Sequence, residues 1–448
     1  MSLIHRKEPF WLFLGDICIL IISLVLTLLI RYGSFPTIEV FETHIAPFSI
    51  LFIAFILVNF IAGLYEKHTI LFKNRLPITL LNVQIINTGI GVAFFYFIPY
   101  FSISPKLFLF IYLLISLVLM SIWRMFIAPG MGPRKTQKAL LIGDTNESEE
   151  LYSEVNNNSR YHMSFIKLIK PSNDTSQTLK EISDLIESSD ISMVVVDTRH
   201  PKLVSVLPGL YKFAISGVLF FEVSKMYEAI FDRIPLSLVG QSWFVENMSS
   251  VAPKFVYDII KRSFDLLISF ILLSISLILY PFVILALKIE GNGSIFSYQN
   301  RVGQYNKIVR IIKFRTMTIA NDNGKWGSVE NKVTRVGSFL RKTRIDELPQ
   351  LWNVLRGDVS LIGPRPEFPD PVLKYAEEIP YYNIRHVIKP GLSGWAQIYG
   401  QHPHHGIGID ETRNKLSYDL YYIKHRSFLL DLKTALRTVK VLITFVGR

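Results

Sequence analysis

Cysteine is almost absent from this chain of 448 residues, since Cys18 is its only thiol. One thiol excludes a disulfide framework and any metal site that requires several thiolates. Acidic residues are also few, 36 against 48 lysines and arginines, and the net charge of +12 suits nucleic acid, anionic lipid or phosphorylated substrates. Half of the residues are hydrophobic and the mean hydropathy is +0.32. These values indicate membrane segments, so lipid and phosphorylated partners are favoured and no nucleic acid is expected.

Four long apolar runs fill the N-terminal third, and each has the roughly 20 residues that a helix needs to cross hydrocarbon. They lie at residues 11–30, 46–65, 78–100 and 107–127. No small-residue cleavage site follows the first run, so we interpret it as a retained span. Basic residues cluster at three flanks of these runs, namely His5, Arg6, Lys7, Lys67, Lys73, Arg75, Arg124, Arg134, Lys135 and Lys138. The positive-inside rule therefore predicts a four-helix transmembrane bundle over residues 1–130 with both ends in the cytoplasm.

One acidic residue, Asp16, lies inside the first apolar run. A charge in hydrocarbon is costly, so a functional role is one interpretation. The other is that Asp16 lies near the interface or pairs within the bundle, and this second interpretation is favoured.

A proline- and glycine-rich segment at residues 129–133 separates the bundle from a region of alternating strand and helix patterns. Short apolar runs predict strands at 139–142, 165–169, 193–196 and 218–221, with helices at 147–155, 177–187 and 202–213 between them. This alternation predicts a parallel, Rossmann-like α/β module over residues 135–250. Its first turn, Gly143 to Asn146, lacks the second and third glycines of a dinucleotide-binding loop. A structural or assembly module is therefore favoured over a dinucleotide site.

The last long apolar run, residues 264–289, differs from the first four. It has Asp265 near its start and Pro281 inside it, and basic residues flank both ends. We predict that a helix over about 262–289 enters the membrane, breaks at Pro281 and returns to the same face. Proline leaves the carbonyl of Leu277 without its helical donor, and Ser274 and Ser276 are close enough to help satisfy the break. The alternative is a fifth, kinked span.

Charged and glycine-rich pieces crowd together after this run. Lys313 and Arg315 are spaced to share one face of a strand. Further cations follow at Arg335, Arg341, Lys342, Arg344, Arg356 and Arg365. Arginine forks match phosphate oxygens in pairs, so the cluster suits a diphosphate.

Two adjacent carboxylates, Asp346 and Glu347, lie within this cationic stretch. One can attack phosphorus, and the other can hold Mg²⁺. The neighbouring cations are expected to keep both carboxylates ionised. The alternative is a solvated, ion-paired surface.

Residues 254–448 closely resemble the bacterial sugar transferases, which are also called monotopic phosphoglycosyl transferases or polyprenyl-phosphate hexose-1-phosphate transferases. The ordered matches include Arg-Ile-Asp-Glu-Leu-Pro-Gln-Leu-Trp-Asn-Val-Leu-Arg-Gly-Asp at 344–358 and Lys-Pro-Gly-Leu-Ser-Gly-Trp-Ala-Gln at 389–397. Others fall at 261–265, 299–303, 313–317, 363–366, 418–422 and 427–433. The layout of four spans, a Rossmann-like module and this domain is similar to the long members that begin exopolysaccharide, capsule or O-antigen units.

The resemblance implies a reaction and a set of roles. A sugar-1-phosphate passes from a UDP-sugar to undecaprenyl phosphate in the bacterial inner membrane, with Asp346 as the nucleophile that releases UMP. Glu347 binds Mg²⁺, and Arg341, Arg365, Lys313 and Arg315 bind phosphate. The re-entrant helix that holds the lipid substrate is marked by Lys261, Arg262, Asp265 and Pro281. Long members of the family also suggest a homodimer.

Two other functions remain open from the residues alone. One is a membrane-anchored, NAD-dependent nucleotide-sugar dehydratase or oxidoreductase that uses the middle module. The other is a non-catalytic scaffold that binds lipid phosphate. The C-terminal stretch from Leu432 to Val446 has helical apolar spacing with basic residues between, which suits either anionic lipid or packing on its own domain. His402, His404 and His405 are interpreted as part of a polar loop rather than a metal site.

Overall fold

The computed structural model describes residues 8–65, 76–98, 105–128, 136–158, 161, 163–240, 243, 247, 254–291, 293–318, 332–399 and 408–444. The chain forms two compact units, Met1–Glu222 and Val223–Arg448. Several sequence predictions fall outside the described residues. They concern the linker at 129–133, the histidines at 402, 404 and 405, and the flanking cations His5, Arg6, Lys7, Lys67, Lys73, Arg75, Arg134 and Lys135.

Four apolar helices open the first unit: α1 (Glu8–Tyr32), α2 (Ile38–Ile61), α3 (Leu76–Phe97) and α4 (Pro105–Ile122). Each contains a segment of 19 to 24 residues that is long and apolar enough to cross a membrane, so the prediction of four spans is confirmed. The helix α2 begins upstream of the predicted residue 46. The reason is that helical backbone continues through Glu39, Thr43 and His44, which the apolar pattern left out.

The polar interior of the bundle is built around Asp16, which is fully buried. Nε and Nη2 of Arg124 donate to its two carboxylate oxygens at 3.0 and 2.5 Å. The Tyr65 hydroxyl donates to Oδ2 at 2.7 Å, and Nη1 of Arg124 donates to the carbonyl of Leu64. Arg124 lies on a π-helical turn, Trp123–Ile127, that continues α4. Asp16 is therefore paired within the bundle, as the favoured interpretation stated.

A parallel four-stranded sheet completes the first unit, in the order β2-β1-β3-β4. Its strands are β1 (Gln137–Ile142), β2 (Met163–Ile169), β3 (Met193–Val196) and β4 (Leu219–Glu222). The helices between them are α5 (Asn146–Asn156), α6 (Thr175–Ser188), α7 (Pro201–Val204) and α8 (Leu207–Ile215). The predicted parallel α/β architecture is confirmed, although the third predicted helix is two shorter ones.

The second unit begins with α9 (Val223–Phe231), upstream of residue 254, where the catalytic domain is predicted to begin. Next come two helices bent by 55° relative to each other, α10 (Phe255–Leu277) and α11 (Tyr280–Glu290). The strands are β5 (Phe296–Val302) paired antiparallel with β6 (Ile308–Phe314), and β7 (Ser360–Ile362) paired parallel with β8 (Gly391–Ser393). The remaining helices are α12 (Arg335–Thr343), α13 (Gln350–Arg356), α14 (Pro369–Glu378), α15 (Trp395–Tyr399), α16 (Ile409–His425) and α17 (Phe428–Thr444).

The bend between α10 and α11 is placed by Tyr280 and Pro281. Proline is tolerated in the first turn of a helix, where its missing N–H has no helical acceptor to serve. The Tyr280 ring packs edge-on against Phe314, with ring centroids 4.9 Å apart. The break is thus attached to the core of the second unit through the end of β6.

The expected role of the serines at this break is wrong. The hydroxyls of Ser274 and Ser276 each donate at 2.8 Å, to the carbonyls of Phe270 and Leu273. A helical serine reaches the carbonyl one turn before it, so neither hydroxyl serves Leu277.

The C-terminal helix α17 packs on its own domain, which is one of the two alternatives left open by its sequence. Its Thr434 is fully buried, and Lys433 and Arg437 lie over the rings of Trp395 and Tyr399. The opposite side exposes apolar side chains, namely Phe428, Leu429, Leu432, Val439 and Leu442. The basic side therefore packs on its own domain, and the apolar side is left outward.

Candidate active site

The adjacent carboxylates occupy a short 3₁₀ turn, Ile345–Glu347, between α12 and α13. Arg344 ends α12 in the left-handed conformation, with φ of +58°. A non-glycine residue in this region costs on the order of 1 kcal/mol, so the surrounding packing must hold it there. This reversal turns the chain sharply enough to bring Asp346 and Glu347 against the end of β6.

Three cations surround a single oxygen, Oε1 of Glu347. Nζ of Lys313 lies 2.9 Å away, Nη2 of Arg365 3.4 Å and Nη1 of Arg344 3.8 Å. Burial alone would raise the pKa of Glu347, but Lys313 and Arg365 hold that pKa well below its usual range. Glu347 is therefore ionised, as the cluster of cations predicted.

Asp346 is buried, with only 6% of its surface exposed. Burial raises the pKa of its carboxyl above the usual value, against the opposing effect of Lys313. The cations therefore determine the direction of the pKa shift at Glu347, whereas loss of solvent determines it at Asp346. That Asp346 is ionised stays a prediction. Within the described part of the chain, Oδ1 of Asp346 has no hydrogen-bond partner. A buried acceptor left without a donor can accept a hydrogen bond from water or from a ligand.

Three elements supply the cations predicted to bind phosphate. Lys313 comes from β6 and Arg365 from the loop after β7. Arg341 lies in the last turn of α12, and its Nε donates to Oγ1 of Thr316 at 2.9 Å. Its charge lowers the pKa of Asp346, so Arg341 belongs to the same electrostatic cluster. The structure thus brings Lys313, Arg341 and Arg365 together around the carboxylates.

Arg315 does not join this cluster. The strand β6 ends at Phe314, and the guanidinium of Arg315 is buried. Its Nη2 donates to the carbonyls of Leu287 and Gly291 at 2.8 and 3.1 Å. These carbonyls lie at the end of α11, where a cation also compensates the helix dipole. Arg315 therefore binds the end of the bent helix pair instead of sharing a face with Lys313.

The charged residues at the start of α10 are also engaged by the protein itself. Nζ of Lys261 contacts Oδ2 of Asp431 at 3.1 Å. The guanidinium of Arg262 donates to the carbonyls of Val354 and Leu355 at 2.7 and 2.9 Å. These contacts fix α10 to α17 and to the end of α13.

Asp265 makes the corresponding contact to β7. It accepts from the Ser360 hydroxyl at 2.6 Å and from the Leu361 N–H at 3.1 Å. Asp265 thus attaches the first half of α10 to β7, and Arg315 binds the end of α11. These two anchors attach both ends of the bent helix pair to one α/β unit. Between the anchors, the pair exposes large apolar side chains such as Phe270, Ile278 and Phe282.

A network that the sequence patterns did not reveal supports the Arg365 loop. Nη2 of Arg385 donates to the carbonyl of Arg365 at 3.1 Å, and the same guanidinium pairs with Asp419 and Glu367. Lys415 also contacts Glu367, at 2.6 Å. These partners come from distant segments, so no local spacing could have indicated them.

Glu347 is the carboxylate that would hold a divalent cation. Mg²⁺ in phosphoryl-transfer sites takes one or two carboxylates and completes its shell with substrate phosphates and water. A carboxylate whose pKa is held well below its usual range suits such a ligand set. Among the described residues, no group of three or more histidine, cysteine or acidic side chains forms a metal cage, so the phosphates would have to contribute ligands.

Known proteins match this unit. The model of the bacterial sugar transferase family matches residues 256–445. A UDP-N-acetylgalactosamine-undecaprenyl-phosphate N-acetylgalactosaminephosphotransferase of Aeromonas hydrophila is 36% identical over 260 residues, which cover 57% of this chain and 59% of that protein. A UDP-glucose:undecaprenyl-phosphate glucose-1-phosphate transferase of Caulobacter vibrioides is 38% identical over 199 residues, 43% of this chain and 73% of that protein.

A sugar transferase of Bacillus subtilis named EpsL, whose function is uncharacterized, is 39% identical over 190 residues. That match covers 42% of this chain and 90% of the Bacillus protein, whereas the Aeromonas relative is matched over less than two thirds of its length. The residues that the family model matches, 256–445, contain the carboxylate pair, its cations and all but the first residue of the bent helix pair. The chain therefore belongs to the bacterial sugar transferase family.

Proposed function

We propose that this protein transfers a sugar-1-phosphate from a UDP-sugar to undecaprenyl phosphate and releases UMP. The observation that carries the proposal is the buried, unpartnered Oδ1 of Asp346 next to a carboxylate held by three cations. The names of the Aeromonas and Caulobacter relatives support the same substrate classes. This reaction would be the first membrane step of exopolysaccharide, capsule or O-antigen synthesis.

The first half-reaction uses Asp346 as a nucleophile. Its carboxylate oxygen attacks the sugar-side phosphorus of the UDP-sugar and forms an acyl phosphate, while the bond from that phosphorus to the bridging oxygen breaks. The electron pair stays on the bridging oxygen, which leaves as part of UMP. Lys313, Arg341 and Arg365 stabilise the charge that develops on the phosphate oxygens.

The second half-reaction reverses this chemistry with a different phosphate. An oxygen of undecaprenyl phosphate attacks the same phosphorus, and the bond to Asp346 breaks with its electron pair returning to the carboxylate. Glu347 would hold Mg²⁺, which supplies positive charge to the phosphates when bound. The products are the lipid-linked sugar diphosphate and the free enzyme.

The bent helix pair brings the water-soluble donor and the lipid acceptor to one carboxylate. Both of its ends are bound to the same α/β unit, by Asp265 at the start and by Arg315 at the end. A helix pair held in this way would enter and leave the membrane on one face, so we propose that it is re-entrant rather than a fifth span. The cytoplasmic face of the bacterial inner membrane is the side that offers UDP-sugars.

The test is UMP release by the purified full chain with undecaprenyl phosphate and a panel of UDP-sugars. Omitting the lipid and quenching in acid should leave a phosphosugar adduct, which peptide mass spectrometry should map to Asp346. An adduct on another residue, or release of UMP with no adduct, would overturn the nucleophile assignment. Nicotinamide absorbance in the purified protein would instead support an oxidoreductase, and lipid-phosphate binding without UMP release would support a scaffold.

A further inference from the structure

The polar interior of the membrane bundle continues from Asp16 into a small cavity between the four helices. Asn59 of α2 lies in the wall of this cavity, and its Nδ2 donates to Oδ2 of Asp16 at 3.4 Å. The other polar side chains in the wall are Gln84, Asn87 and Ser116. The volume of the cavity is about 10 Å³, which is room for about one water molecule.

One face of α3 forms a large part of the wall. Leu80, Val83, Gln84 and Asn87 follow one another at the spacing that brings side chains to the same side of a helix. Leu80, Val83 and Asn87 are buried, whereas Ile85 on the other side of α3 is exposed. Asn87 therefore faces the interior of the bundle rather than lipid.

The carboxamide of Asn87 has an acceptor that no protein group serves. Only 3% of Asn87 is exposed, and among the residues that the structure describes none donates a hydrogen bond to its Oδ1. A polar atom left in this state inside hydrocarbon costs free energy, because bulk water cannot reach it. The cavity beside Asn87 is thus the place from which a donor can come.

Two polar neighbours of Asn87 direct their hydrogens elsewhere. Nε2 of Gln84 has two hydrogens and donates to the Leu113 carbonyl and to the Ser116 hydroxyl oxygen, both at 2.7 Å. The single hydrogen of the Ser116 hydroxyl is donated to the same carbonyl at 3.1 Å. Neither side chain has a hydrogen left for Asn87, so a small molecule in the cavity is the natural donor.

The size and the chemistry of the cavity select water as that molecule. Any larger donor exceeds the available volume. A metal cation would need anionic or several oxygen ligands, and there is no carboxylate among the described residues of the wall. A buried water needs two to four polar partners, and the wall offers the side chains of Asn59, Gln84 and Ser116 besides Asn87.

We propose that this cavity is a binding site for one water molecule, which donates to Oδ1 of Asn87 and bridges α3 to the polar side chains of α2 and α4. The water extends the hydrogen-bonded interior around Asp16 and Arg124 to α3. All four helices then meet at one polar centre, which favours a single arrangement of the bundle. The site lies apart from the active site and is independent of the proposed reaction.

The test is magnetisation transfer from water to the Asn87 carboxamide, measured by NMR on the full chain in lipid bilayers with 15N-labelled asparagine. The variant Asn87→Leu assigns the carboxamide signal by removing it. The wild-type protein should show a cross-peak between this carboxamide and a water that exchanges slowly with bulk solvent.

Two matched variants of α3 locate that water. Val83→Leu adds a methylene to the wall of the cavity and should abolish the cross-peak while the Asn87 signal remains. Val92→Leu adds the same methylene on the exposed side of the helix and should leave the cross-peak unchanged. A wild-type protein without the cross-peak would overturn the inference, as would a cross-peak that survives Val83→Leu or disappears in both variants.

The stability of Asn87→Leu gives a second measurement with opposite expected signs. With the water bound, leucine removes one of its hydrogen bonds and should lower the unfolding midpoint in detergent by about 2–4 °C. Without it, leucine would replace an unsatisfied amide and raise the midpoint. Thr88→Val is the control, because the Thr88 hydroxyl donates to the Gln84 carbonyl of its own helix at 2.7 Å. An unchanged or raised midpoint of Asn87→Leu would contradict the water site.

Discussion

The buried charges of the membrane bundle and those of the candidate active site are arranged in opposite ways. In the bundle, Asp16 accepts two hydrogen bonds from Arg124 and one from Tyr65. Nη1 of Arg124 donates to the backbone carbonyl of Leu64. In the active site, three cations converge on one oxygen of Glu347, while Oδ1 of Asp346 has no partner in the described structure. In the first cluster the protein itself binds both oxygens of the carboxylate, whereas in the second one carboxylate oxygen has no partner among the described residues.

This difference distinguishes a charge that holds helices together from a charge that we propose reacts with substrate. A paired acid in hydrocarbon stabilises one arrangement of the bundle because separating the pair would leave an uncompensated charge. An unpartnered carboxylate in a cationic pocket is a cost to the folded protein, and it is retained where a substrate will contact it. Variants that remove one feature of this contrast should therefore have separate effects on activity and stability.

The largest effect is expected from Asp346→Asn. An amide is not a nucleophile toward phosphorus, so turnover should fall by about 10⁴-fold or more, the loss seen when a covalent catalyst is removed. The phosphosugar adduct should disappear while the unfolding midpoint stays close to that of the wild type. The surface variant Asp370→Asn is the matched control, and turnover of Asp346→Asn near the wild-type rate would contradict the assignment.

The next effect concerns the bundle. Arg124→Met leaves Asp16 buried without its partner and should lower the free energy of unfolding by about 3–5 kcal/mol, measured by denaturant unfolding in detergent. Adding Asp16→Asn should restore much of that loss, because the uncompensated charge is then gone. Arg31→Met, at the exposed end of α1, should change little. If Arg124→Met and the double variant were equally stable, the interpretation that Arg124 compensates the buried charge of Asp16 would be contradicted.

The smallest effect is the loss of unfolding free energy in acid that comes from Glu367, which pairs with Arg385 and Lys415 next to the Arg365 loop. Burial alone would raise the pKa of Glu367, but Arg385 and Lys415 hold it well below its ordinary value. A depressed pKa stabilises the fold above the unfolded value near 4.5, and this stabilisation is lost as the pH falls below it toward the folded pKa. A single paired carboxylate of this kind contributes about 2–3 kcal/mol to the free energy of unfolding.

The measurement is the free energy of unfolding between pH 7 and pH 3. Glu367→Gln should be less stable at pH 7 and should lose less stability on acidification than the wild type. Glu378→Gln removes an exposed carboxylate, 3.9 Å from Lys374, and should follow the wild-type curve. A Glu367→Gln curve parallel to the wild type would show that this carboxylate carries no acid dependence.

The sequence predicted the architecture better than it predicted the contacts. Spans, strands and the parallel sheet follow from periodicity, which local backbone geometry imposes at every residue. The carboxylate pair was recognisable because Arg341 and Arg344 lie in the same short stretch and because residues 344–358 resemble a family motif. Arg315 was misplaced because the strand ends at Phe314. The support from Arg385 was missed because no charge cluster in the sequence links this residue to Glu367 or Asp419.

By itself the sequence determined the membrane spans and the α/β modules and singled out the carboxylate pair, since these depend on residue type and local spacing. Only the tertiary structure decided which charges are satisfied and which remain open to a ligand. Arg124 donates through Nε, Nη1 and Nη2 to groups of the protein, whereas Asp346 keeps an oxygen without a partner among the described residues. The physical reason is that the cost of a buried charge depends on the partners that folding brings within about 3 Å, and chain spacing does not specify them.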